Sequence, residues 1–209
     1  MASTTTPPST ITIRSPTTYP TASSDASFVP PPPEWLIRTW SVTHSTLPMW
    51  RTARNVRISY KAVPPKPSST GGAPAPRNED RVEYESADGK GGVKSVSGGN
   101  TGSADTGGGV WDWRGKSWLF FVTSHWEILG WGERPHKDGG VERWVVTWFA
   151  KTIFSAEGVD IYSDRKEGCS KETVEEVLAT LGKVGAKGVA DLVAKDMREV
   201  KIELPWKER

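Results

Sequence analysis

Before residue 170 the hydrophobic positions alternate with polar ones in short runs, and only after it do they fall on helical stripes. Trp35 to His44 and Asn55 to Val63 flank a turn around Pro48, with Val56, Ile58 and Tyr60 alternating against Arg57, Ser59 and Lys61. A period of two predicts strands. Trp118 to Trp131 is apolar on both faces, with Trp118, Phe120, Val122, Trp126 and Ile128 on one and Leu119, Phe121, Leu129 and Trp131 on the other. Val141 to Phe154 behaves likewise, and Val159 to Tyr162 supplies a shorter strand after Gly158. Strands with no helix between them predict an antiparallel sheet. Ser170 then caps a helix whose Val174, Val177, Leu178 and Leu181 share a stripe and which Gly182 stops; Val189, Leu192, Val193 and Met197 mark a second. A one-faced helix needs an apolar surface to cover, and a sheet apolar on both faces offers one. The predicted fold class is mainly β, a curved or closed antiparallel barrel with a C-terminal helical flank from about residue 170.

Composition sets the edges of this domain. Residues 1–33 hold eight prolines and fourteen Ser or Thr, so a disordered tail is expected there. The folded domain is expected over 34–209. Within it, 64–109 holds eleven glycines and five prolines and reads as a flexible insertion, broken by one short strand at Arg81 to Glu85. With 27 basic and 25 acidic residues the charge is nearly balanced. Arg51, Arg54 and Arg57 do not amount to a nucleic-acid face, so no nucleic-acid partner is expected. Cys169 is the single cysteine, which excludes an intramolecular disulfide and a CxxC metal site. No apolar run is long enough to serve as a signal or a membrane span, and the expected location is the cytoplasm.

Ten of the eleven tryptophans lie in the two β-type blocks. Indole is large, stiff and amphipathic, so this many must either fill a core or line a cavity. The candidates for a ligand-lined wall are Trp50, Tyr60, Phe121, Trp131, Trp144 and Trp148, with Trp40 as a plug at the closed end. His125 and Glu127 stand two apart on one strand face, where an imidazole and a carboxylate can share a proton; His44 joins them if its strand is a neighbour. These three are the candidate catalytic residues. Nucleophile elbow, P-loop, dinucleotide and HExxH signatures are absent, and neither a metal nor a cofactor is expected.

Several segments resemble lipocalin-like, or calycin, proteins of the intracellular kind, close to a group found in fungi. Arg38-Thr39-Trp40 stands at the place of the Gly-x-Trp that opens the first strand. Val159-Asp160-Ile161-Tyr162-Ser163-Asp164-Arg165, followed by a Ser-capped helix, resembles the last barrel strand, its arginine and the helix packed on the barrel. Thr43-His44-Ser45-Thr46-Leu47-Pro48-Met49-Trp50 and Ser124-His125-Trp126-Glu127-Ile128-Leu129-Gly130 are similar to the fungal group. The likeness runs from Thr39 to Leu181 and implies a lipocalin-like cup for a hydrophobic ligand, without naming the ligand.

Two functions are therefore expected as rivals. One is intracellular binding of a hydrophobic or aromatic small molecule in the barrel. The other is a cofactor-independent cyclase or isomerase acting on a polyene or polyketide-type intermediate, for which shape and one or two polar groups suffice. A third possibility is an interaction module, and a homodimer is left open.

Overall fold

The computed structural model describes residues 10–19, 28–67, 73–103, 109–153 and 155–208. Parts of the expected tail (1–9 and 20–27), parts of the expected insertion (68–72 and 104–108) and Phe154 lie outside the described residues. The strands β1 (Thr39–Ser45), β2 (Ala53–Ala62), β3 (Arg77–Ser86), β4 (Lys94–Gly102), β5 (Val110–Gly115), β6 (Thr123–Pro135), β7 (Val141–Phe149) and β8 (Gly158–Ser163) pair in chain order. Every pairing is antiparallel, and β1 closes the ring by bonding both β2 and β8. A two-residue strand β9 (Arg198–Glu199) pairs with β1 at His44 and Ser45. The helices are α1 (Lys171–Leu181) and α2 (Lys187–Asp196); the Ser170 hydroxyl caps α1 by accepting from Thr173 N–H, and Gly182 ends it.

The strands apolar on both faces separate two cores. Inside the barrel lie Trp40, Val42, Val56, Ile58, Tyr60, Trp111, Trp126, Ile128, Trp131, Val145 and Tyr162. Outside, Leu129, Trp144, Val146, Trp148, Val159 and Ile161 meet Val177, Leu181, Val189 and Val193 of the helices. Burying each such side chain stabilises by about 1.5–3 kcal/mol, so neither face can be left open to water. A bulge between Ile128 and Gly130 turns both Ile128 and Trp131 inward, where unbroken alternation would have opposed them.

Three expectations change. The stretch 64–109, read as a flexible insertion, supplies all of β3 and β4. Two of its glycines are strand positions roofed by indoles: a Cβ on Gly98 would lie 1.9 Å from Trp113 Nε1, and one on Gly102 would lie 3.1 Å from Trp111 Cζ3. The expected tail packs in part, since Ile11, Ile13, Arg14 and Ser15 are buried. Arg14 N–H donates to Leu129 O at 2.8 Å, and the Ser15 hydroxyl accepts from Ala186 N–H at 3.1 Å. This segment crosses β6 at Gly130, where a Cβ would come within 2.9 Å of both Ile13 Cγ1 and Thr12 O. Finally, Trp118 lies not in β6 but in a 3-10 turn before it, exposed like Phe120 and Phe121.

Candidate functional site

Antiparallel alternation puts the β1–β2, β3–β4, β5–β6 and β7–β8 connections at one end of the barrel and the chain entry at the other. The entry end is plugged. Trp40 Nε1 donates to Leu36 O at 2.9 Å, and the Trp35 ring lies 5.0 Å from that of Trp40 and 4.9 Å from that of Trp131. The Arg38 guanidinium lies 5.5 Å from the Trp40 ring centroid. Arg165, the arginine expected from the resemblance, instead pairs with Asp138.

The middle of the barrel is an indole stack held by amides. Trp111 and Trp126 face each other across β5 and β6 with rings 5.8 Å apart and 12° from parallel, and Tyr60 lies 6.0 Å from Trp126. Trp126 Nε1 donates to Asn100 Oδ1, and Asn100 Nδ2 donates to Asn78 Oδ1, both at 2.8 Å. Trp113 Nε1 donates to Asp80 Oδ1 at 2.9 Å. These bonds fix ring orientation while satisfying polar groups that burial would otherwise penalise.

The other end is less sealed. A 3-10 turn over Pro48–Thr52 tucks Trp50 inward, edge-on to Tyr84 at 5.4 Å, and Lys94 Nζ lies 5.9 Å from the Tyr84 ring. By register Val82, Tyr84, Val96, Trp113, Ser124 and Phe149 also face inward, yet each is only half-buried. Solvent therefore reaches the inner wall along β3, β4 and β5. Next to Trp50, Asp160 accepts from the Ser45 hydroxyl at 2.5 Å. Burial pushes its carboxyl up to about 7, against the opposing influence of Ser45, Trp50 and Tyr162. Burial likewise raises Asp80 and the phenols of Tyr60 and Tyr162.

Of the expected wall residues, Trp50, Tyr60 and Trp131 face inward. Trp144 and Trp148 do not; they belong to the outer core, where Trp148 Nε1 donates to Glu157 Oε1 at 2.6 Å. Phe121 is exposed on the β5–β6 connection and lines a surface cleft of about 930 Å³ with Asp112, His125 and Ile153. The inner residues Trp111, Trp113, Trp126, Tyr84, Asp160 and Tyr162 were not among the candidates. Their strand positions were visible in part, but the choice between faces was not.

The expected catalytic trio is not assembled. His125 and Glu127 do share a face, 3.3 Å apart, but it is the outer one. Glu127 is sealed there by Arg14 at 2.6 Å and accepts from Thr17 N–H at 3.0 Å and Thr17 Oγ1 at 2.7 Å. Burial alone would raise its carboxyl, but the Thr17 hydrogen bonds and the Arg14 charge hold it below the usual range. His125 Nδ1 lies 2.8 Å from Asp112. His44 stands on β1, separated from β6 by β8 and β7, beside Glu199; burial lowers its imidazole. Among the described residues no group of three or more His, Cys, Asp or Glu could hold a metal ion.

No protein-family model matches the chain, and no curated protein matches it in sequence. Among solved structures it is similar to lobster apocrustacyanin A1, with a TM-score of 0.52 and 8% identity over 94% of this chain and 93% of that one. Apocrustacyanin C1 gives 0.56 and 9% over the same shares, and apocrustacyanin C2 gives 0.50 and 10% over 80% and 78%. The fold is a lipocalin-like β-barrel. At such low identity the likeness extends to architecture and stops there. No described helix is long and apolar enough to cross a membrane.

Proposed function

We propose that this protein binds a hydrophobic or aromatic small molecule within its barrel, entering at the end bounded by Trp50, Tyr84 and Phe149. The observation that carries this reading is the gradient along the inner wall: Trp40, Val42 and Tyr162 are sealed, while Val82, Tyr84, Val96 and Trp113 face inward and still meet solvent. An apolar wall of stacked rings with a few fixed polar groups is the usual lining of a ligand site. The solved apocrustacyanin structures share this architecture. The segments around Thr43–Trp50 and Ser124–Gly130 further support a place among intracellular fungal lipocalin-like proteins, and the single cysteine suits a cytoplasmic setting.

Titration with a neutral apolar fluorophore such as N-phenyl-1-naphthylamine tests the reading. Indoles on the inner wall lie within contact range of a bound ring system, so tryptophan emission should fall saturably with one-site stoichiometry. Absence of saturable quenching across a panel of neutral polycyclic and polyene probes would overturn it.

A further inference from the structure

Four buried residues of the inner wall, from Trp50 at the solvent-reached end down to Tyr162 at the level of Val42 and Val145, form a polar island distinct from the one around Asn78, Asp80 and Asn100. Asp160 stands on β8 directly opposite Thr147 on β7 and Ser45 on β1, with Tyr162 two residues further along the same face. Trp50 and Tyr162 lie beside the Asp160 carboxyl, and Thr147 lies beside the Tyr162 phenol, near enough to bias their protons. Yet Trp50 Nε1, Tyr162 OH and Thr147 Oγ1 are buried without reaching hydrogen-bond geometry to any described group. Trp50 is 7% exposed, Asp160 2%, and Tyr162 and Thr147 0%. Buried polar atoms are nearly always paired, because leaving one unpaired costs most of its hydration. Three around one carboxyl mark a place where a hydrogen-bonding group belongs.

We infer that Trp50, Thr147, Asp160 and Tyr162 form a binding site for an uncharged oxygen group, a hydroxyl or a carbonyl, carried by an otherwise apolar ligand. This rests on the binding function proposed above and specifies its ligand class. Indole N–H only donates, so Trp50 requires an acceptor, which an ammonium cannot supply. A carboxylate or phosphate would bring a negative charge into a low-dielectric interior beside two acidic groups, Asp160 and Asp80, where burial already disfavours ionisation. A neutral oxygen meets neither obstacle. The Tyr162 and Thr147 hydroxyls rotate to donate or accept, and the Asp160 carboxyl accepts when ionised and donates when protonated. Hydroxyl and carbonyl are thus both accommodated.

The test compares naphthalene, 2-naphthol, 2-acetylnaphthalene and 2-naphthoate as ligands of the full chain, by displacement of a neutral fluorophore. The two neutral oxygen compounds should bind about 10-fold tighter than naphthalene, the gain of roughly one satisfied hydrogen bond, and 2-naphthoate should bind more weakly than naphthalene. Tyr162→Phe and Thr147→Val, which keep shape, should bring the ratio of oxygen-compound to naphthalene affinity toward one. If either variant fails to fold, Asp160→Asn serves in its place. Equal binding of naphthalene and the neutral oxygen compounds to the natural chain would overturn the inference, assign the island to ordered water, and leave apolar binding intact. Preference for 2-naphthoate, or a preference for oxygen that survives the substitutions, would also overturn it. Failure of all four compounds to bind would remove the binding function and this inference together.

Discussion

The Arg14 guanidinium lies 2.6 Å from the Glu127 carboxylate, with both side chains buried, and this pair fastens an N-terminal segment across the outer face of β6. The same guanidinium donates to Ile128 O at 3.0 Å and Gly109 O at 3.1 Å, so it spans the edge between β5 and β6. Removing one partner of such a pair leaves an uncompensated charge inside the protein. Arg14→Ala should therefore destabilise by about 3–5 kcal/mol, and Arg14→Ala combined with Glu127→Leu by less than the sum of the two single changes. Denaturant unfolding of the four chains measures this directly. Additive losses would show that the pair does not couple.

Asp160 predicts the opposite kind of pH dependence from Glu127. Its folded carboxyl titrates at about 7, above the ordinary value, so between these limits the native state holds a proton that the unfolded chain releases. Stability must then fall as pH rises from about 4 to about 7, by on the order of 4 kcal/mol from this group alone. Glu127 is held low when folded, so its contribution is present above its unfolded value and lost as pH falls through its folded one. Asp160→Asn should remove the decline above pH 4 and leave the acid limb. Unfolding free energies of both chains from pH 4 to 8 provide the check, and parallel curves would refute the assignment.

Much of the architecture was legible in alternation alone. The strands around Val56, Trp126, Val145 and Ile161, the Ser170 cap and the helical stripes all stand where the periodicity placed them. What failed was the reading of glycine. Lys94–Gly102 looked like linker because glycine has no side chain to mark a face, yet Gly98 and Gly102 are the positions that make room for Trp113 and Trp111. The site was harder still, because strands apolar on both sides do not announce which side is inside. Trp144 and Trp148 alternate as cleanly as Trp126 but face the helices. His125 and Glu127 share a face as their spacing requires, and only the strand register shows that the face is the outer one. Polar interior groups such as Asn78, Asp80 and Asn100 carried no sequence signal beyond an ordinary polar strand.

The two faces separate experimentally through tryptophan emission. Trp126 and Trp111 stack inside, whereas Trp144 and Trp148 lie behind the wall. Quenching by a neutral apolar ligand should lose amplitude in Trp126→Phe or Trp111→Phe. In Trp148→Phe the quenched amplitude should be retained, with dissociation constants within about 2-fold, since a change outside the site seldom moves affinity by as much as 0.5 kcal/mol. Loss of the quenched signal in Trp148→Phe alone would move the ligand to the outer cleft beside His125.

Adjacent glycines on β4 give the sharpest test of the inner wall. Gly98 faces inward, and an added Cβ would sit 1.9 Å from Trp113 Nε1 and 2.2 Å from Cε2; Gly99 faces outward, with nothing within 4 Å of the same atom. Gly98→Ala must push the indole aside and break its 2.9 Å bond to Asp80, leaving a buried carboxyl short of a donor. The expected cost is about 1–3 kcal/mol, with a changed near-ultraviolet dichroism from the displaced indole. Gly99→Ala should alter stability by no more than about 0.5 kcal/mol in either direction, because it meets open space and sits in extended backbone. A flexible linker would tolerate both changes equally. Matching stabilities and unchanged dichroism for the two variants would return residues 94–102 to the role of a linker and open the barrel wall at β4.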